Sequence, residues 1–168
     1  CSSDLGGIVI ILGQKWARIP STKEVYDPPT REHKGRAMAI IFNNKIAKAH
    51  NKIQIIAVHG LNAAKANEEP TIQMLTWIAK QVDKFKRENP LATTVIAGDL
   101  NATINTLLDT DRQEKENREV HPEEEEKDAY VIKELRKLKL IDIFRGRYPK
   151  TRATTRRSKE QTNRFLDK

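Results

Sequence analysis

Four stretches of this chain are apolar nearly throughout instead of alternating: "GGIVIIL" (residues 6–12), "GRAMAIIF" (35–42), "KIQIIAV" (52–58) and "TTVIAG" (93–98). A strand with one face in water alternates apolar and polar residues, whereas a continuous apolar strand needs cover on both sides. This excludes a one-sided meander and asks for layers above and below the sheet. Between the second and third runs, "NNKIAKAHN" (43–51) offers Asn43 and Asn44 as a turn, so those two strands are expected to pair as a hairpin. "STKEVYDPPTREHK" (21–34), with Pro28 and Pro29, reads as a long loop.

Two helices are readable. The first starts near Pro70, behind Glu68 and Glu69, and repeats Ile72, Leu75, Ile78, Val82 and Phe85 at helical spacing until Asn89-Pro90 stops it. Met74 and Trp77 read as core or near-core packing on it. The second starts within the acidic "PEEEEKDAY" and carries Ala129, Ile132, Leu135 and Leu138 as an apolar stripe, acids at its start and bases at its end. The predicted order is strand, long loop, strand, strand, helix, strand, insertion, helix, short strand, basic tail. The expected fold is α+β: two packed β-sheets flanked by helices, a four-layer α/β/β/α sandwich.

At 168 residues one domain, 1–168, is expected, large enough for a core. The chain opens on Cys1 and stops at "NRFLDK" without a cap, so it reads as a piece of a longer chain, incomplete at both ends. A single cysteine excludes an internal disulfide framework and a multi-cysteine zinc site, and fits a reducing compartment. No stretch reaches the ~20 apolar residues of a membrane span, and no signal peptide opens the chain. An intracellular protein is expected, with the nucleus one candidate compartment.

Charge is distributed unevenly. Residues 145–168 hold nine Lys/Arg and two acids, so +7 of the net +8 falls in this basic C-terminal segment. Such a block either attracts a polyanion, nucleic acid or anionic lipid, or is simply solvated. Residues 109–126, "DTDRQEKENREVHPEEEE", are nearly devoid of apolar groups and read as a mobile acidic insertion. Its Asp109, Asp111 and His121 are metal-ligand types, but nothing in the pattern fixes their geometry, and no metal ligand is assigned.

Three pieces carry candidate chemistry. In "AGDLNA" the fourth apolar run ends on Asp99, with Asn101 two residues on. In an extended segment both point the same way. A carboxylate can orient or deprotonate water, and an amide can hold that water or a phosphate oxygen. Asp and Asn after a strand are also common turn formers, and the tetrapeptide leaves both readings open. The third run likewise ends in "VHGLNA", where His59 and Asn62 are either phosphate contacts or a half-exposed histidine and a turn asparagine. The third piece is "LIDIFRGRYPKTRATTRRSKEQTNRFLD", a short apolar strand leading to Asp142, Phe144, Arg145, Tyr148 and Pro149, then threonines and bases.

Taken together, "GRAMAI", "IQIIAVHGLN", "VIAGDLNA", "LIDIFRGRYP" and "NRFLD" resemble the endonuclease/exonuclease/phosphatase superfamily. That superfamily includes abasic-site endonucleases, deoxyribonuclease-I-like enzymes and retrotransposon endonuclease domains. The likeness runs over nearly the whole chain, and "GDLN" is similar to a family signature. It implies a metal-dependent phosphodiesterase or nuclease in which Asp99 activates water and Asn101 holds the phosphate. Asn62 matches a phosphate-contacting asparagine, with His59 standing where relatives have tyrosine. Asp167 corresponds, one residue later than usual, to the aspartate that orients the catalytic histidine. Arg156 falls near a position that faces DNA in relatives. Magnesium or manganese is the implied cofactor and nucleic acid, DNA foremost, the implied partner. The metal-binding glutamate and catalytic histidine of the family would lie outside the 168 residues, so the chain alone is expected to be inactive. Two other readings stay open: a catalytically degenerate nucleic-acid-binding domain, and a lipid or inositol phosphatase of the same superfamily.

Overall fold

The computed structural model describes residues 8–27, 35–42, 52–61, 69–102 and 122–151. The fold is α+β, with one four-stranded mixed sheet and a few helices. The chain divides into two units, residues 1–63 with 67–101, and residues 64–66 with 102–168. The sheet and its covering elements belong to the first.

Strands β1 (Ser21–Val25), β2 (Ala37–Phe42), β3 (Ile53–His59) and β4 (Thr93–Asp99) lie in the order β1-β2-β3-β4. β1 and β2 pair antiparallel, as do β2 and β3, while β4 runs parallel to β3. The expected pairing of the second and third runs is therefore present, while the expected turn at Asn43 and Asn44 lies outside the described residues. The parallel partner needs a crossover, and helix α2 (Glu69–Glu88) lies between β3 and β4 in the chain.

Register sorts side chains onto two faces. Ala37, Ala39, Ile56, Val58 and the fully buried Gln54 lie on one. Gln54 also bonds the Gln81 carbonyl of α2, at 3.2 Å, which places the helix on this face. The helix buries Met74, Leu75, Ile78, Val82 and Phe85, together with Thr71. Ile72, expected in the stripe, is only half-buried, while Met74 is core as read and Trp77 lies at its margin, 5.7 Å from the Tyr26 ring.

Met38, Ile40 and Phe42 form the opposite face, joined by Ile55. Residues 8–12 pack against it with Ile8, Ile10 and Leu12 inward and Val9 and Ile11 outward, 79% and 90% exposed. Short α1 (Gln14–Ala17) sets Trp16 edge-on to Phe42, ring centroids 5.4 Å apart. Both faces of the central strands are covered, as the apolar runs demand.

Three expectations change. The run at 6–12 forms no strand among its described residues, since their backbone pairs with no neighbour in the sheet. Residues 21–25, read as loop, form β1: "STKEV" is polar and exposed, yet its backbone pairs along β2 from Ser21↔Phe42 to Val25↔Met38. Cross-strand hydrogen bonding there outweighs the absence of an apolar pattern. The short strand expected at 140–144 is instead helix α4 (Ile143–Arg147), because the Asp142 carboxylate accepts the Arg145 N–H at 2.9 Å and caps it.

In the second unit, α3 (Pro122–Lys137) starts inside the acidic stretch, so residues 122–126 of the expected insertion are helical. Val131 and Ile132 are buried on it, whereas Ala129, expected in the stripe, is exposed. In α4, Phe144 and Tyr148 lie 5.4 Å apart, with Arg145 over the first ring and Arg147 over the second. No helix among the described residues is long and apolar enough to cross a membrane.

Candidate active site

Parallel pairing carries the third and fourth apolar runs side by side to the same end of the sheet. There His59 and Asp99 are register partners, the last residues of β3 and β4. Two motifs forty positions apart thus meet at one corner, at the carboxyl ends of parallel strands, the edge of α/β sheets where ligands commonly bind. Asp99 is exposed and His59 half-exposed.

Asp99 and Asn101 are joined by a turn, not by strand alternation. β4 ends at Asp99, and Asn101 takes a left-handed φ of 47°. Its N–H donates to Asp99 Oδ1 at 2.9 Å, the closed loop that Asp makes with the backbone two residues on. The turn reading therefore describes the local geometry. The catalytic reading remains compatible with it, because the turn is what fixes carboxylate and amide next to each other.

Gly60 joins the two strand ends. Its N–H donates to the Asp99 carbonyl at 2.6 Å. Its carbonyl accepts Asn101 Nδ2 at 2.7 Å and Arg36 Nη1 at 3.3 Å. A Cβ at Gly60 would overlap the Leu100 carbonyl, so the backbones approach as only glycine permits. Gly98 meets the same restriction one residue before Asp99: at φ 138°, its Cβ would fall on the Val58 carbonyl. Both glycines let β3 and β4 close together directly beneath Asp99.

Arg36 is the residue that motif reading missed here. It precedes β2, its carbonyl accepts the His59 N–H at 2.8 Å, and its guanidinium reaches Gly60, just past the end of β3. "GRAMAI" contains it in plain view, but only the antiparallel register brings the start of β2 beside the end of β3.

Of the other site residues expected from sequence, Asn62, Arg156 and Asp167 lie outside the described residues. Among the described residues, no group of three or more His, Cys, Asp or Glu could hold a metal ion. The corner offers one carboxylate beside one imidazole, which do not by themselves make up a magnesium or manganese site. Compared with protein-family models, with curated proteins and with solved structures, the chain finds no match.

Proposed function

We propose that this chain carries the water-activating corner of a metal-dependent phosphodiesterase or nuclease, related to the endonuclease/exonuclease/phosphatase superfamily. The observation that carries the reading is the Asp99–Asn101 turn at the end of a parallel strand, with His59 beside it. An exposed carboxylate on a rigid strand end can accept a proton from water or orient it. The Asn101 amide, anchored through Nδ2, keeps its carbonyl side available to a water or a bound group at a fixed distance from Asp99. His59 is placed to contact a phosphate oxygen. The basic segment 145–168 fits a nucleic-acid backbone as substrate.

The same reading extends the fold. Residues 8–12 would be a strand of a second sheet packed on the Met38–Ile40–Phe42 face, giving the four-layer sandwich. Its support is the alternation of inward Ile8, Ile10 and Leu12 with outward Val9 and Ile11. In a sandwich with an outer helix layer, Ile11→Lys lowers the melting temperature sharply; no change in Tm leaves the segment a single outer cover.

Plasmid nicking with magnesium, beside Asp99→Ala and a chelator control, tests the function. Cleavage abolished by both controls supports hydrolysis by this corner. Salt-sensitive DNA binding without cleavage favours the second reading, a nucleic-acid-binding domain without catalysis, for which the +7 segment speaks. Absence of both binding and cleavage removes the second reading, and cleavage that survives Asp99→Ala removes the first.

A further inference from the structure

The most densely bonded peptide at the corner is not in the acidic turn itself. Gly60 is held from both sides: Asp99 takes its N–H, and Asn101 and Arg36 together donate to its carbonyl. Having no Cβ, a glycine peptide is restrained little by its own sterics, so its orientation depends on these partners. Of the two donors on the carbonyl, Asn101 is the closer, at 2.7 Å, and Arg36, at 3.3 Å, is the charged one. Arg36 also has a buried Nε that finds no hydrogen-bond partner among the described residues. A buried guanidinium donor without a partner is a cost that a purely structural contact between β2 and β3 does not explain.

We propose that Arg36 is a positioning residue for Asn101, acting through the Gly60 carbonyl. The guanidinium fixes the direction of that carbonyl. The carbonyl in turn fixes Asn101 Nδ2, and with it the amide's free side relative to the Asp99 carboxylate. Among the described residues Arg36 makes no hydrogen bond to the turn itself; its influence runs Arg36, Gly60, Asn101. This rests on the reading of Asp99 and Asn101 as the hydrolytic pair, and it adds a residue that the motif does not contain. It also explains why a strand start twenty-four positions upstream of Gly60 sends a long cation to this end of the sheet.

The test uses the full 168-residue chain, 15N-labelled, with the Asn101 side-chain amide assigned by its loss in Asn101→Asp. In Arg36→Gln, exchange of that amide is expected to be about tenfold faster, as loss of a charge-assisted restraint implies. The Val58 and His59 backbone amides keep their protection, and Arg36→Lys restores most of the effect. An unchanged Asn101 signal in folded Arg36→Gln overturns the proposal. So does a change that Arg36→Lys fails to rescue. Should Arg36→Gln unfold, the reciprocal measurement decides: coupling is symmetric, so Asn101→Ala must move the Arg36 Nε–H resonance. A resonance that stays in place overturns the proposal as well. Neither readout needs turnover. Plasmid cleavage that survives Asp99→Ala therefore removes the hydrolytic reading and leaves the coupling standing, while a cleaving chain without coupling removes only the role of Arg36.

Discussion

Gln54 and Asn101 are both side-chain amides, both bonded to a backbone carbonyl, at opposite ends of the same parallel strand pair. Gln54 is fully buried, and both ends of its amide are bonded within the protein: Nε2 to the Gln81 carbonyl at 3.2 Å, Oε1 to the Thr94 hydroxyl at 3.1 Å. Asn101 is half-exposed; its nitrogen is fixed on Gly60, and its oxygen finds no partner among the described residues. The same functional group thus welds helix to sheet at one end and is presented at the other. Burial decides which, because an amide withdrawn from water must be satisfied at both ends and an exposed one need not be.

The largest effect that could break this contrast is at Gln54. Gln54→Ala leaves a cavity and strips the Thr94 hydroxyl and the Gln81 carbonyl of their partner, so urea unfolding should show a loss of about 3 kcal/mol. Asn101→Ala should cost less, about 1–2 kcal/mol, from one partly exposed hydrogen bond and a left-handed backbone that Asn tolerates better than Ala. Equal losses would end the distinction. If the proposed hydrolysis holds, the order reverses in activity. Asn101→Ala should then lower the rate by about 10²-fold or more, while Gln54→Ala, assayed well below its melting temperature, should keep most of it.

A second comparison separates glycines by what surrounds them. Gly60→Ala forces a methyl group onto the Leu100 carbonyl and should cost about 1–3 kcal/mol, with the Asn101 and Asp99 resonances displaced. Gly13→Ala meets nothing within 4 Å and should stay within about 0.5 kcal/mol of the parent. A tolerated Gly60→Ala would mean that the strand ends are less tightly closed than the hydrogen bonds indicate.

Tyr26 is the counterexample to Gln54: its hydroxyl is buried and finds no hydrogen-bond partner among the described residues. Tyr26→Phe should therefore change stability by no more than about 0.5 kcal/mol, in either direction. Burial, and then the charge of Glu69, hold its phenol above the ordinary value of 10.0. The unfolded chain ionises first, so this group's contribution is whole below pH 10 and is lost as pH rises through the folded value. Absorbance of the phenolate on alkaline titration checks it, and Tyr26→Phe should remove that part of the alkaline loss.

The smallest effect is at the rim. The 3.0 Å Lys84–Glu24 bond joins α2 to β1 in solvent and holds Glu24 below its ordinary 4.5. Its stabilisation is present above that value and fades as pH falls through the depressed one. Glu24→Gln should shift Tm less than any change above, and added salt should erase the difference. A larger shift than that of Tyr26→Phe would show the β1 edge to depend on this pair.

Much of the architecture was legible because it is written in local patterns. Runs 35–42, 52–58 and 93–98 are β2, β3 and β4, and the Ile78–Val82–Phe85 stripe is the buried face of α2. β1 was not, since "STKEV" has no apolar signature and exists through the edge it pairs with. Nor was α4, although the capping carboxylate of Asp142 was in view. An apolar "LIDIF" reads as strand until the side chain is seen to accept the Arg145 N–H. At the site, Asp99, Asn101 and His59 could be singled out by residue type at the end of an apolar run. Arg36 could not, because nothing local distinguishes it from any arginine at a strand start.

By itself the sequence determined that the central strands need cover on both faces, that α2 presents one apolar side, and that an acid and an amide follow β4. Those properties follow from spacing along the chain, where the periods of strand and helix act directly. Only the tertiary structure decided that β3 and β4 run parallel, that His59 stands opposite Asp99, and that Asn101 and Arg36 share the carbonyl of Gly60. The physical reason is that register and sidedness between distant segments are set by the packing of whole faces, α2 on one side and residues 8–12 on the other. A single hydrogen bond between residues 41 positions apart is too weak to specify either.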